Sequence, residues 1–219
     1  MESVRTHKSA SVLFRGAGHV FLGISAIVFF SLMLSVAGCE RMMPLDTKPL
    51  DVAGMTYPAI KQLQAMDITR AELAEIAKAR AAGLPDDTCI EIVRIYHVRD
   101  RPFDAGDTVA GLVQAHLRAD TILDLASLDQ LGVNAGELRL IRLAGLSDSI
   151  VLEVARHEAA GKPVLSGAAL SNMRNAGMRE SILLELVRRG VPDSEGPTII
   201  RLHRHGASEA DILRRYPAA

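Results

Sequence analysis

The chain has no tryptophan, three tyrosines and two cysteines in 219 residues, and aromatic residues make up 4% of it. Without large flat side chains, a core must be filled by Ala, Val, Leu and Ile, which favours closely packed small helices over a β-sandwich. Two cysteines exclude a disulfide scaffold, since Cys39 and Cys89 could form one bridge at most. An excess of charge of one sign is missing too: 25 Lys and Arg stand against 26 Asp and Glu, a net charge of −1. That balance supplies no electrostatic footprint for nucleic acid, which is therefore not expected as a partner. The sequence holds no GxxxxGK[ST], GxGxxG or GxSxG segment and no Cys/His cluster with metal-ligand spacing. No cofactor or metal is expected, and the common enzyme classes lose their signatures.

What is present begins with one apolar run. Arg5, Lys8 and Arg15 precede an uncharged stretch from Val20 to Ala37, and Val36-Ala37-Gly38-Cys39 closes it. Charge, apolar run and small residues before a cysteine, in that order, resemble the signal peptide and lipobox of bacterial lipoproteins. The resemblance covers about forty residues. It implies removal of residues 1–38, palmitate-type acylation of Cys39, and a protein held on the membrane by its lipid. Each buried methylene contributes roughly 0.8 kcal/mol, so several acyl chains anchor a domain almost permanently. The residue after Cys39 is Glu40 rather than Asp, which in such lipoproteins points to the periplasmic face of the outer membrane instead of the inner membrane. The competing reading is an uncleaved single-pass anchor at 20–37, because the run is close to the shortest that spans a bilayer. Both place the remainder of the chain outside the cytoplasm. Without residues 1–38 the body carries 22 basic against 25 acidic residues. Residues 39–58, with Pro44, Pro49 and Pro58 and little periodicity, read as a lipidated tether, and 59–219 as the domain.

That domain repeats. Residues 144–156 (AGLSDSIVLEVAR) align without gaps on blocks opening at Ala82, Ala115, Ala176 and His205, with steps of 33, 29, 32 and 29 residues. A repeat about every 31 residues is the signature of stacked helical hairpins. Each block opens with a small residue, often followed by Gly, where a first helix should end on a left-handed cap. An apolar residue crosses the turn next: Leu84, Leu117, Leu146 and Met178. Ser147 and Ser208, each followed by an acid, then suit the N-cap of a second helix, and Pro85 suits the opening of another. Ile90, Leu123, Leu152, Leu184 and Leu213 share one position expected to be buried. Upstream, pairs three apart (Ile76 and Ala79, Val109 and Leu112, Leu138 and Ile141, Leu170 and Met173, Ile199 and Leu202) mark the stripe of a first helix, with Asn134 and Ser166 as caps. The expected fold is all-α: a lead-in helix at 57–64 and five hairpins over 69–216, as an α-solenoid or a compact helical-repeat bundle. The blocks lack the signatures of tetratricopeptide and ankyrin repeats.

Candidate chemistry is sparse. Glu91, Asp124, Glu153 and Glu185 fill one position, and Arg94, Arg156 and Arg188 follow three later. Such a repeated pair is a solvated ladder, with one functional use, a partner-binding face. Cys89 shares its position with Ile122, Val151, Leu183 and Ile212, which reads as a buried thiol. His203 and His205 are two apart and point about 200° from each other on a helix, so they cannot chelate one ion there. His97, His116 and His157 are scattered. The hairpin at 164–189 has the outline of a DNA-binding helix-turn-helix but no basic recognition helix. The leading expectation is a membrane-anchored envelope lipoprotein acting as a non-catalytic binding or scaffold module for another envelope component. The alternative is a cell-envelope hydrolase using acids near the turns, such as Asp86, Asp87 or Glu153.

Overall fold

The computed structural model describes residues 45–132 and 135–217. The leader, Cys39, the first part of the tether and Asn134 lie outside the described residues. The described chain forms twelve α-helices and one 3-10 turn, with no strand among the described residues. In chain order they are α1 (Lys48–Val52), α2 (Tyr57–Ala65), α3 (Arg70–Ala81), α4 (Asp86–Val98), α5 (Gly106–Gln114), α6 (Ala119–Ser127), α7 (Ala135–Leu143), α8 (Asp148–Ala159), α9 (Gly167–Asn175), α10 (Glu180–Arg188), the 3-10 turn Asp193–Glu195, α11 (Gly196–Arg204) and α12 (Glu209–Arg215). The five expected hairpins run from α3/α4 to α11/α12.

A sixth hairpin precedes them. Residues 48–58, expected in the tether, hold α1 and the start of α2, and residues 45–219 form one compact unit. Ala53-Gly54-Met55 opens a further copy 29 residues before Ala82, and Leu50 and Met55 are buried at the stripe and turn positions. The prolines are compatible with helix here: Pro49 and Pro58 sit in the first turn of α1 and α2, where no helical N–H is needed.

Each turn between paired helices is built alike. The opening small residue is the C-cap, the next residue is left-handed, and the apolar residue after it donates its N–H to the carbonyl five back. Leu84 bonds Ala79 (3.2 Å), Leu117 bonds Leu112 (3.1 Å), Leu146 bonds Ile141 (3.2 Å) and Met178 bonds Met173 (3.1 Å). This is the Schellman closure, with its apolar contact supplied by the buried turn residue. Gly occupies the left-handed position in most copies, and His116 takes it with φ +63°.

Odd-numbered helices form one layer and even-numbered helices the other. Every substantial contact is either within a hairpin or with the same layer of the adjacent hairpin. This nearest-neighbour pattern is what a stack of repeats requires. A single apolar cluster runs through the stack from Leu50 to Ile212. In the even helices the buried stripe includes the positions of Cys89, Ile122, Val151, Leu183 and Ile212, of Ile92, Leu125, Val154 and Leu186, and of Val93, Ala126, Ala155 and Val187. The position read as buried is the flank of this stripe: Ile90 is buried, but Leu123, Leu152, Leu184 and Leu213 are half-covered. Leu202 is half-covered because, among the described residues, no odd-layer helix packs beyond α11.

Two glycines set the closest approach between odd helices. At Gly106 a Cβ would lie 2.2 Å from the Glu75 carbonyl oxygen, and at Gly167 it would lie 2.1 Å from that of Glu137. Glycine is required at both positions because the neighbouring backbone occupies the space of a side chain.

Candidate functional site

The first residue of four even helices is acidic: Asp86, Asp148, Glu180 and Glu209. Each stands at the positive end of its own helix. Each also accepts the N–H of the N-cap residue one hairpin earlier. Thr56 donates to Asp86 (2.9 Å), Arg118 to Asp148 (3.0 Å), Ser147 to Glu180 (3.1 Å) and Arg179 to Glu209 (3.2 Å). Arginines two before the block opening complete two of these nodes. Arg80 Nε is 2.6 Å from Asp86 and donates to the Gly54 carbonyl; Arg142 Nε is 3.2 Å from Asp148 and donates to the His116 carbonyl. Burial would raise the pKa of Asp86, but the bonds from Thr56 and the Arg80 charge outweigh it and hold its carboxyl below the usual range.

The acids expected near the turns therefore divide. Asp86 and Asp87 line a groove of about 350 Å³ between α2 and α4, together with Glu91 and Arg94. Asp86 is committed to the node, and Asp87 accepts from the Thr88 N–H at 2.8 Å. Glu153 lies on α8, with α6 between it and α4, beside Arg156 (3.5 Å) and His157 (3.7 Å). The expected ladder is partly regular. Glu91 pairs with Arg94 and Glu153 with Arg156, but Glu185 pairs with Arg189 (2.8 Å) rather than Arg188. Arg189 also reaches the carbonyls of Leu213 and Tyr216, which draws it across the turn of helix and away from solvent. Asp124 is exposed, with Ser127 where the arginine would be. Ser147 occupies an N-cap without a side-chain bond, whereas Ser166 and Ser208 cap as expected.

One polar cluster has no counterpart among the residues the sequence singles out. Glu72 is only 2% exposed, yet it carries a carboxylate. Thr69 and Glu72 form a capping box on α3; the Thr69 backbone N–H and its hydroxyl both donate to Oε2 at 2.9 Å. Oε1 accepts from the Phe103 N–H at 3.0 Å and lies 2.6 Å from His97 Nε2. Burial pushes the Glu72 carboxyl up, but the bonds from Thr69, His97 and Phe103 together bring it below its ordinary value. The pattern T-x-x-E is legible as a capping box. Its extension to His97 and Phe103 is not, because those contacts span 25 and 31 residues. A shallow opening beside the pair is lined by Asp67, Glu72, His97, Asp100 and Arg101, with no hydroxyl or thiol among its lining residues. A carboxylate–imidazole pair can serve as a general base, but both Glu72 oxygens are already bonded. The cluster acts as a clamp that fixes the α4–α5 linker on α3, with Phe103 seated edge-on against Tyr96 at 5.3 Å.

Cys89 is buried, and burial pushes its thiol up to about 12. His205 is exposed at the end of α11, and His203 lies against Gly177. Among the described residues no group of three or more His, Cys, Asp or Glu could hold a metal ion, and no helix is long and apolar enough to cross a membrane.

A second groove, of about 640 Å³, lies between α9 and α11. Asn172, Asn175, Arg201, Arg204 and His205 line it. No family model, curated protein or solved structure matches the chain.

Proposed function

We propose that the protein is an envelope lipoprotein, held by acyl chains on Cys39 at the periplasmic face of the outer membrane, whose helical-repeat body binds another envelope protein. The observation that carries the binding role is a contrast between inside and outside. Buried positions repeat from hairpin to hairpin, as the turn leucines and the Ile122, Val151, Leu183 stripe do. Outward positions of the odd helices do not: the sites four and one before each turn opening are Lys78 and Ala81, half-buried Gly111 and exposed Gln114, Leu140 and Leu143, Asn172 and Asn175, Arg201 and Arg204. A repeated frame with a surface that changes along it is how stacked repeats build recognition faces. The even layer offers a second face through Glu91, Arg94, Asp124, Glu153, Arg156, Glu185 and Arg188.

The hydrolase alternative draws on Asp86, Asp87 and Glu153. Asp86 has its carboxylate engaged by Thr56 and Arg80, and Glu153 stands two hairpins away, so no favourable pair of acids supports it.

Three measurements test the reading. Intact mass of the purified protein should show loss of residues 1–38 and added acyl chains, and Cys39→Ser should move it from the membrane to the soluble fraction. Cross-linking in intact cells followed by mass spectrometry should recover a defined envelope protein. Recovery of the bait alone would end the scaffold reading whatever the state of the lipid.

A further inference from the structure

Charge is unevenly divided along the stack. Residues 45–132 carry 9 basic and 14 acidic side chains, and residues 160–217 carry 9 basic and 6 acidic. Many cations are neutralised locally: Lys78 by Glu75 and Asp107, Arg142 by Asp148, Arg179 by Glu209. Arg201 and Arg204 are exposed and have no carboxylate or carbonyl partner among the described residues. They share one groove with Asn172 and Asn175, whose exposed amides are likewise unbonded within the described chain. One helix further along the same layer, at the equivalent two positions of α7, Leu140 and Leu143 are 40% and 61% exposed.

Three adjacent helices thus present an apolar pair, an amide pair and a guanidinium pair in register. We infer that this face binds an extended, acidic polypeptide segment of a partner protein. An apolar side chain of the segment covers Leu140 and Leu143. The amides of Asn172 and Asn175 each offer a donor and an acceptor, matching a peptide backbone that has no partner of its own. Arg201 and Arg204 take a carboxylate, for which the planar guanidinium provides paired donors. Packed helices lie about 8–10 Å apart, so the leucine pair and the arginine pair are roughly 16–20 Å apart. An extended chain rises about 3.3 Å per residue. The segment should therefore place its acid about five or six residues from its apolar anchor. An acidic peptide is favoured over nucleic acid because the exposed Leu pair has no role on a phosphate backbone.

This inference rests on the binding role proposed above and adds the face and the chemistry of the partner. Selection from a phage-displayed random dodecapeptide library against the full chain tests it. Expected winners carry Asp or Glu about five or six residues from Leu, Ile, Val or Phe. A fluorescein-labelled synthetic copy should bind at 150 mM NaCl with an affinity that falls at least fivefold in the Arg201→Glu/Arg204→Glu protein and, separately, in Leu140→Ser/Leu143→Ser. Both double variants change exposed side chains, and circular dichroism should show unaltered helix content. Absence of enrichment, winners without acids, or a smaller loss of affinity overturns the inference. So does equally tight, Arg-dependent binding of a dT20 oligonucleotide or of phosphatidylglycerol vesicles, which would make the groove a general anion site. If Arg201→Glu/Arg204→Glu leaves the cellular cross-link intact, the scaffold role stands and this face is not its seat.

Discussion

Glycine to alanine is normally a stabilising change in a helix, worth about 0.5–1 kcal/mol. Three glycines in the first turns of odd helices should divide on this rule. Gly136 has nothing within 4 Å of a Cβ placed on it, so Gly136→Ala should follow the norm and stabilise by about 0.5 kcal/mol. At Gly167 the added carbon would stand 2.1 Å from the Glu137 carbonyl oxygen and 2.8 Å from its carbon; at Gly106 the corresponding distances to Glu75 are 2.2 and 2.7 Å. Backbone cannot swing aside as a side-chain tip does, so α9 must retreat from α7, and α5 from α3, by roughly 1 Å. The retreat loosens buried contacts on both sides, such as those of Leu138, Ile141 and Leu170. It also strains the bonds from the Ala168 N–H to Glu137 and the Gly106 N–H to Glu75. Overpacking of this kind costs about 1–3 kcal/mol, and the lost helix preference for alanine does not offset it. For a domain of this size the melting temperature should fall by about 2–4 °C per kcal/mol. Urea unfolding followed by circular dichroism at 222 nm is the assay. If Gly106→Ala and Gly167→Ala unfold at or above the wild-type midpoint, the helices do not approach as closely as described.

The interhairpin carboxylates should behave as structural groups. Asp148→Ala leaves the Arg118 N–H and the Thr121 hydroxyl without their acceptor and Arg142 without its counter-ion, and should lower stability by about 1–3 kcal/mol in urea unfolding. Glu72→Gln should cost a similar amount by disturbing the bonds to Thr69, His97 and Phe103, with a local rise in amide exchange at Phe103 as the signature. Acid should act through the same groups. Glu72 and Asp86 are held below their ordinary values of 4.5 and 3.8, so the folded state binds these protons less readily than the unfolded chain. Their stabilisation is complete above those values and is lost as the pH falls through the lowered ones; the urea midpoint should hold from pH 8 to about 5.5 and drop below about 4.5, less steeply in Asp86→Asn, and a midpoint that rises on acidification would contradict the assignment. In a Cys39→Ser variant, which leaves Cys89 as the one thiol, labelling with a thiol reagent at pH 8 should proceed at the rate of unfolding, and prompt labelling of the folded protein would contradict its burial.

The parts of the fold legible in the sequence were those that a single hairpin reports about itself. Turn leucines, left-handed positions and the stripes of Val109 and Leu112 or Leu170 and Met173 recur because each copy must bury the same face. Cys89 could be judged by its neighbours in register for that reason, and it is buried as they are. The first hairpin is not legible because α1 has five residues and two prolines mark its region. Ile90 and its equivalents were read one residue off the buried stripe, since both positions are apolar and only packing separates them. Polar contacts between hairpins were not legible. Glu72 to Phe103, Asp86 to Thr56 and Gly106 to Glu75 each join residues about thirty apart, and nothing within either copy marks its member of the pair.

One exception shows that these contacts are nonetheless written in the sequence as pairs. The node that links N-cap to following acid is missing at one step only, between α4 and α6. The N-cap there is Pro85, which has no N–H to donate, and the first residue of α6 is Ala119, which has no carboxylate to receive it. The arginine position of that hairpin is also empty, since Val113 stands where Arg80 and Arg142 stand in their copies. Donor, acceptor and counter-ion are absent together. Had the acids served only the dipole of their own helices, loss of one would not require loss of an N–H thirty-four residues before it. The joint loss follows if the carboxylate's purpose is to join one hairpin to the next, and the Pro85 step is then held by apolar contact through Ile92 and Leu125 and, at the far ends of the two helices, by Arg99, which donates to the Ala126 and Ser127 carbonyls, and by Arg101 on Asp129.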